Sequence, residues 1–290
     1  MSTSPEPEDE RPDTYFVQDR STQEEILHLQ KQDRWTTASM GGVLAEQPDP
    51  EKLRRVLDIG SGTGDWLLDA AGLYAEIMLL IGVDRNSHMV QFAREQAKAR
   101  KLEGRVEFHV MDVLSQLEFP NGYFDLINVR FAINYLRTVD WPGFLNECRR
   151  VCRPGGVVRV TEANITPDTP SAALIRLVKL QHEALYKAGN LFTPEGASLV
   201  QTLPRLFERS GFQQVQTCSY SMEARAGTET WQLAFDDLRF LFRTNLPFLQ
   251  KWTTVPDNYQ EIYQQMLKDL QQSDYRSTSL LFTTWGTRPE

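Results

Sequence analysis

The sequence predicts an α/β protein in which helices cover both faces of a doubly wound, mostly parallel β-sheet. Short apolar segments alternate with amphipathic helical patterns between residues 55 and 161. A glycine-rich turn follows the first of these segments, and two more strand-like segments lie nearer the end of the sequence. Such alternation is typical of parallel sheets, because each crossover between parallel strands needs a connection long enough for a helix.

The alternating region contains five predicted strands. The second, Ile77-Met-Leu-Leu-Ile-Gly-Val83, is apolar without interruption, as expected for a strand buried on both faces of its sheet. Pro154-Gly155-Gly156 ends the last helix of the region, and the fifth strand follows. The strands are predicted at 55–59, 77–83, 106–110, 124–129 and 157–161, and the helices at 65–74, 87–100 (capped by Ser87) and 141–152.

Flanking helices and two later strands complete the predicted fold. Ser21 and Glu24 form a capping-box pattern, which predicts a helix from there to about Trp35. Further helices are predicted at 172–186 and 193–211, the latter kinked at Pro204, and strands six and seven at 214–220 and 279–285. The long segment between those strands carries two amphipathic helical patterns, so we expect it to fold over the sheet as a lid.

These elements suggest a division of the chain. We expect a polar, disordered tail at 1–13, a helical cap at 14–47 and a main domain at 48–290. The main domain is expected to carry helical insertions at about 165–192 and 222–275.

The candidate site begins at the glycine-rich turn, which reads Asp58-x-Gly60-x-Gly62-x-Gly64 directly after the first predicted strand. Glycines permit a tight turn and let a ligand approach the backbone closely. Asp84 and Asp112 stand at the ends of the next two strands. Ligands of open α/β sheets bind at the carboxyl ends of the strands, where carboxylates can accept hydrogen bonds from ribose hydroxyls and an exocyclic amine. The pattern therefore predicts a nucleoside-binding site.

The spacing of the glycines favours S-adenosylmethionine over a nicotinamide dinucleotide. Dinucleotide-binding loops read Gly-x-Gly-x-x-Gly, whereas the three glycines here alternate with single residues. Asp58 also lies inside the end of the strand. An acidic residue at this place suits the ammonium and sulfonium charges of S-adenosylmethionine.

Four segments together resemble the signature regions of class I S-adenosylmethionine-dependent methyltransferases of the small-molecule, secondary-metabolism type. They are Arg55–Gly64, Gly82–Asp84, Met111–Val113 and Arg153–Gly156. The resemblance implies a seven-stranded sheet whose last strand is antiparallel. It also implies that Gly60 and Gly62 approach the methionine moiety and that the segment from Asn128 to Arg130 lies beside it. Asp84 would hold the ribose, Asp112 and Val113 would face the adenine, and Arg85 and Met89 would flank the adenosine. Asp58 and Ser61 are also expected to bind the cofactor.

Residues 21–42 resemble the helix and glycine-containing loop that precede the core of many small-molecule methyltransferases. The resemblance implies that Tyr15 and this helix close over the cofactor. No residue is identified as a general base by its spacing alone. Glu162, after strand five, either binds substrate or caps local backbone, and His182 is a weaker candidate that also fits a satisfied structural histidine.

Composition narrows the classes of partner. The formal net charge is −8 and the pI is about 5.2, which disfavours nucleic acids as substrates. Three cysteines without a disulfide framework favour a reducing compartment. There is no hydrophobic signal segment and no apolar run long enough to span a membrane, so we expect a cytoplasmic protein that neither crosses a membrane nor binds nucleic acid. No clustered acidic, His or Cys side chains suggest a metal site, and the oligomeric state stays open.

The leading hypothesis is an enzyme that transfers a methyl group by in-line displacement to a small, partly apolar organic acceptor beneath the insertions. The acceptor molecule and its acceptor atom stay open. One alternative is a non-catalytic S-adenosylmethionine-binding regulator that acts through a partner. Another is an oxidoreductase linked to a nicotinamide cofactor.

Overall fold

The computed structural model describes residues 22–290, in which seven strands form one sheet. Tyr15 and the predicted tail at 1–13 lie outside the described residues. The strands are β1 (Arg55–Ile59), β2 (Leu79–Asp84), β3 (Val106–Val110), β4 (Phe124–Arg130), β5 (Cys152–Asp168), β6 (Gln213–Arg225) and β7 (Arg276–Thr287).

Helices flank both faces of this sheet. They are α1 (Gln23–Met40), α2 (Asp65–Leu73), α3 (Ser87–Ala99), α4 (Trp141–Val151), α5 (Ala172–Lys187), α6 (Ser198–Arg209), α7 (Glu229–Thr244), α8 (Leu246–Trp252) and α9 (Tyr259–Leu270). Short 3₁₀ turns occur at Pro50–Lys52 and Ala132–Asn134.

The strand order is β3-β2-β1-β4-β5-β7-β6. Strands β1 to β5 pair in parallel, and β7 is antiparallel to both of its neighbours. The predicted fold class is confirmed: a doubly wound, mostly parallel seven-stranded sheet with an antiparallel last strand. Strand order reverses between β1 and β4, so the carboxyl ends of these strands form the expected place for a ligand.

The core explains why the central strands are continuously apolar. Along β1, Leu57 and Ile59 belong to one hydrophobic cluster, whereas Val56 belongs to a second. Along β2, Ile81 belongs to the first cluster and Leu80 belongs to the second. Successive side chains of a strand point to opposite faces, and helices bury both faces of this sheet. Alternation of polar and apolar residues is therefore absent where the sheet is central.

Several predicted boundaries differ from the structure at caps and ends. Thr22 caps α1, and its side chain accepts from the Glu25 backbone N–H, whereas the predicted cap Ser21 lies outside the described residues. Asn86, not Ser87, caps α3. Helix α6 begins at Ser198, five residues later than predicted, and β5 to β7 extend beyond the predicted segments. The antiparallel pairing of β7 with β5 and β6 extends these strands through residues whose polar sequence does not by itself predict a strand.

The β6–β7 insertion (residues 226–275) contains three helices, α7, α8 and α9, rather than the two predicted from the sequence. Its two ends meet, because the Ala226 N–H donates to the Tyr275 carbonyl at 2.9 Å. Helix α7 packs on α1 and β6, and α8 and α9 pack on α5. The insertion and the N-terminal helix therefore contact each other.

Candidate functional site

A cleft opens at the carboxyl ends of β1, β2 and β4. The cleft is open to solvent, and the space within it, including solvent at its mouth, is about 1000 Å³. Its wall combines the glycine-rich turn, the ends of β2 and β3, the segment after β4 and one face of α1. The predicted residues that line it are Asp58, Gly60, Ser61, Gly62, Asp84, Arg85, Met89, Val113 and Arg130.

The turn between β1 and α2 depends on its glycines. Gly60, Gly62 and Gly64 have φ angles of +71°, +51° and +80°, a region that L side chains rarely adopt. A methyl group added at Gly60 would stand 2.9 Å from the Tyr135 hydroxyl oxygen. The Gly60 and Ser61 backbone N–H groups both donate to the Val83 carbonyl, at 2.8 and 3.0 Å. The turn is thereby tied to the end of β2.

Asp84 joins the turn to the second strand end. Its Oδ2 accepts from the Gly62 N–H at 3.0 Å, and its Oδ1 accepts from the Asn86 N–H at 2.8 Å. These backbone donors hold the carboxylate in one orientation in the cleft wall. Each carboxylate oxygen has two lone pairs, so it can accept a ligand hydroxyl in addition to a backbone N–H.

Asp58 is the most deeply buried acid of the cleft. The Asn128 Nδ2 donates to its Oδ1 at 2.7 Å, and the Arg159 Nη1 donates to the Asn128 Oδ1 at 2.7 Å. Burial raises the pKa of Asp58 to about 7, although the nearby positive charge of Arg130 and the hydrogen bond from Asn128 oppose this rise. A cation bound beside Asp58 would favour its ionised form, which suits a positively charged ligand.

Helix α1, which the resemblance implied would close over the cofactor, supplies a charged wall whose individual residues the sequence did not single out. Asp33 forms an ion pair with Arg130 at the end of β4, and Arg130 also donates to the Thr37 hydroxyl at 3.4 Å. Asp33, Gln32 and Leu29 line the cleft. The helical cap therefore forms part of the wall.

The segment after β4, residues 131–136, contributes three further cleft side chains: Phe131, Asn134 and Tyr135. Phe131 has a φ of +54°, a conformation that costs a bulky residue strain. The hydroxyl oxygens of Tyr135 and Ser61 are buried and have no hydrogen-bond partner among the described residues. Both are cleft residues, so the wall presents two polar atoms that a ligand can satisfy.

Two predicted cofactor residues do not line the cleft. Asp112 is exposed, and its Oδ1 accepts from the Leu114 N–H at 2.9 Å in a local turn. Its neighbours Met111 and Val113 line the cleft instead. Asn128 is fully buried inside β4 and supports Asp58 from behind. Tyr15 lies outside the described residues.

The two weak catalytic candidates also lie outside the cleft wall. Glu162 sits within β5, not after it, and its Oε1 accepts from the Ile133 N–H at 3.1 Å. Of the two roles predicted for Glu162, substrate binding and backbone capping, this contact corresponds to backbone capping. His182 is buried in α5, with its Nε2 3.3 Å from the Ile165 carbonyl oxygen. Burial lowers the pKa of His182, which is consistent with a structural histidine.

Further cleft residues were not singled out from the sequence. They are Leu29, Gln32, Asp33, Thr63, Asp65, Asn86, Met111, Phe131, Asn134 and Tyr135. Thr63, Asp65, Asn86 and Met111 are neighbours of predicted residues, so position after a strand end is a signal that could have found them. No local signal marks the α1 residues, because their proximity depends on how the helix docks.

Comparison with known proteins adds to this geometry. Residues 56–156 match the family described as a methyltransferase domain. The chain is 33% identical over 147 residues to the ubiquinone/menaquinone biosynthesis C-methyltransferase of Azotobacter vinelandii, covering 50% of this chain and 55% of that protein. The chain thus spans about half the length of this relative. These matches support a class I methyltransferase domain that uses S-adenosylmethionine.

Solved structures support the fold over a larger part of the chain. The YcgJ protein of Bacillus subtilis covers 87% of this chain, with 99% of its own length, at a TM-score of 0.53 and 20% identity. The [4+2]-cyclase SpnF covers 93%, with 98% of its own length, at a TM-score of 0.52 and 16% identity. Because a cyclase shares the fold, the fold alone does not determine which reaction is catalysed.

The cleft suits S-adenosylmethionine as a ligand. The acidic group of Asp58 suits a cationic ligand atom, and the Asp84 carboxylate is oriented so that it can accept hydrogen bonds from ligand hydroxyls. Met89, Met111 and Val113 form an apolar wall for a base, and the hydroxyls of Ser61 and Tyr135 are available to polar ligand atoms. Within residues 22–290, no group of three or more His, Cys, Asp or Glu side chains is arranged to hold a metal ion. No helix in that range is long and apolar enough to cross a membrane.

Proposed function

We propose that this protein transfers the methyl group of S-adenosylmethionine to a small, partly apolar organic acceptor. The observation that carries the proposal is the cleft at the ends of β1 and β2, where Asp84 is held by two backbone N–H groups beside the glycine-rich turn. When bound, the cofactor supplies a methyl group on a sulfonium, which is a good leaving group. The work of the protein is then to orient the two reactants and exclude water.

Specific residues support this role. Asp84 binds the ribose, and Met89, Met111 and Val113 pack against the base. Asp58 faces the cationic end, with Asn128 and Arg159 fixing its orientation. Helix α1 and the segment after β4 close the remaining sides of the cleft. Neither Glu162 nor His182 lines the cleft, so we propose neither as a general base.

An apolar, ring-containing acceptor is the first class to test. Phe131 lines the cleft and also packs against the apolar cluster of Trp35, Met40, Met222 and Leu281 under α1 and α7. The name of the A. vinelandii relative adds quinone precursors to the candidates. Because the match to that relative covers only half of this chain, quinones are tested together with other classes of acceptor.

Calorimetry with S-adenosylhomocysteine, comparing Asp84→Ala with Asp112→Ala, tests the cofactor half of the proposal. Asp84→Ala removes a charged acceptor of ribose hydroxyls, and we expect at least ~10-fold weaker binding. Asp112→Ala removes an exposed carboxylate outside the cleft and should leave the affinity within about twofold.

Formation of S-adenosylhomocysteine in the presence of an acceptor panel tests the methyl transfer itself. The panel contains quinones, phenols and amines of similar size. Failure of the wild-type protein to bind S-adenosylhomocysteine at tens of micromolar would contradict the proposal. Binding without turnover on any acceptor would favour a non-catalytic regulator instead.

A further inference from the structure

Two fully buried polar side chains hold the segment at residues 131–136 from behind. The Glu162 Oε1 accepts from the Ile133 N–H at 3.1 Å. The Asn190 Nδ2 donates to the Ile133 carbonyl at 2.7 Å and to the Leu136 carbonyl at 3.3 Å. Both side chains are 0% exposed. They come from β5 and from the turn after α5, so two separate elements fix this short segment.

The segment needs such support because its own conformation is unfavourable. Phe131 opens it with a φ of +54°, and a single 3₁₀ turn at Ala132–Asn134 is all the regular structure it contains. Strained backbone persists where surrounding groups over-determine it, and such strain concentrates at binding sites. Here the surrounding groups are the carboxyl of Glu162 and the amide of Asn190.

The held segment brings the Tyr135 hydroxyl against the glycine-rich turn. A methyl group added at Gly60 would lie 2.9 Å from the Tyr135 hydroxyl oxygen and 3.2 Å from its ring carbons. The hydroxyl is buried, without a hydrogen-bond partner among the described residues, and its residue lines the cleft. A buried hydroxyl that is unsatisfied by protein is a site at which a ligand atom can bind. Burial is the main cause that raises the pKa of Tyr135 well above its usual range, and this hydroxyl therefore stays protonated.

We propose that Tyr135 is a cofactor-binding residue that hydrogen-bonds the part of S-adenosylmethionine lying at Gly60, and that Glu162 and Asn190 are positioning residues acting through it. The inference rests on the proposed function, because it assigns these residues to the same cleft. It also gives Glu162 a role behind the site.

The first test measures the Kd of S-adenosylhomocysteine by calorimetry for Tyr135→Phe. This variant keeps the ring on Gly60 and removes only the hydroxyl, and we expect ~2- to 10-fold weaker binding. Tyr259→Phe is the matched control, because it removes a buried hydroxyl that donates to the Phe242 carbonyl at 2.6 Å inside the insertion. It should leave the Kd unchanged. Wild-type affinity in Tyr135→Phe would overturn the proposal.

A double-mutant cycle tests whether Glu162 acts through Tyr135. Glu162→Ala should weaken binding about as much as Tyr135→Phe, whereas Glu162→Gln, which keeps an acceptor for the Ile133 N–H, should restore near-normal affinity. In the Tyr135→Phe background, Glu162→Ala should weaken binding no further. Additive losses would show that Glu162 has a general structural role only. Asn190→Ala, measured alone and combined with Tyr135→Phe, tests in the same way whether Asn190 acts through Tyr135.

The outcomes separate the two proposals. If the wild-type protein binds S-adenosylhomocysteine but Tyr135→Phe is unaffected, only the inference fails. If the wild-type protein does not bind it, the proposed function fails. Thermal unfolding midpoints recorded for every variant establish that changes in Kd are measured on folded protein.

Discussion

Two carboxyl groups, Asp58 and Glu162, are buried near the cleft, and their surroundings differ. Asp58 is hydrogen-bonded to Asn128 and lies near the positive charge of Arg130, whereas no cation contributes to the pKa shift of Glu162. Burial raises the pKa of Glu162 to about 8, opposed by backbone hydrogen bonds from Ile133 and Ala132. A neutral carboxyl can occupy such a position without a counter-charge.

This pKa shift predicts how the stability of the Glu162→Gln variant depends on pH. Between about pH 4.5 and pH 8, folded protein retains a proton on Glu162 that unfolded protein has lost. The free energy of unfolding of the wild type therefore falls with rising pH in this window, by as much as ~1.4 kcal/mol per pH unit for this one group. The Gln variant lacks this loss, so its stability relative to the wild type should increase from pH 5 to pH 8.

Urea denaturation of both proteins at pH 5, 6.5 and 8 provides the measurement. Asp58, whose raised pKa acts in the same direction, is present in both proteins and cancels in the difference. Parallel stability profiles would mean that Glu162 is ionised in the folded protein at neutral pH.

At the scale of the element, α1 is the helix whose docking completes the cleft. One of its faces lines the cleft through Leu29, Gln32 and Asp33. Another contacts α7, where Lys31 pairs with Asp236 at 2.7 Å and His28 stacks on Phe240 with ring centroids 4.3 Å apart. The ion pairs differ in burial: Asp33 and Arg130 are 9% and 15% exposed, whereas Lys31 and Asp236 are 50% and 18% exposed.

We expect Asp33→Ala to loosen α1 far more than Lys31→Ala. Removing Asp33 leaves Arg130 unpaired at a largely buried place, which should cost ~1–3 kcal/mol and speed amide exchange within α1 about tenfold or more. The half-exposed pair of Lys31 should contribute less than ~1 kcal/mol, with a change in exchange of about twofold. Hydrogen exchange read by mass spectrometry over residues 23–40 makes the comparison. Equal exchange rates in the two variants would show that the Asp33 pair does not dock the helix.

At the scale of the whole molecule, the β6–β7 insertion and the sheet share one hydrophobic core. A single cluster contains Leu57 of β1, Leu177 of α5 and Phe248 of α8. The two ends of the insertion meet at Ala226 and Tyr275, so the chain enters and leaves it at one place. Its helices nevertheless bury the outer face of α5. We therefore expect the insertion and the sheet to unfold as one unit.

Phe248→Ala tests this expectation, because Phe248 belongs to the insertion and is 3% exposed. Loss of this buried ring should lower the free energy of unfolding by ~3–5 kcal/mol. Protection of amides in α9 and β4 should fall together as denaturant is added. Leu73→Ala, at a side chain that is 65% exposed, is the control and should change stability by less than ~0.5 kcal/mol. Loss of protection in α9 well before β4 would identify the insertion as a separate folding unit.

The sequence by itself determined the order of the seven strands and the turn at Gly60 to Gly64, because periodicity and glycine content are local properties, but it predicted two helices where the insertion has three. It also predicted Asp84 at the end of the second strand, and Asp84 is the last residue of β2. Tertiary structure alone decided that Met111 and Val113 rather than Asp112 face the cleft, and that Asn128 supports Asp58 across 70 residues of sequence. It also brought Asp33 to Arg130, 97 residues away. Side-chain direction at a strand end and the docking of a helix depend on packing between distant segments, and no local pattern encodes such packing.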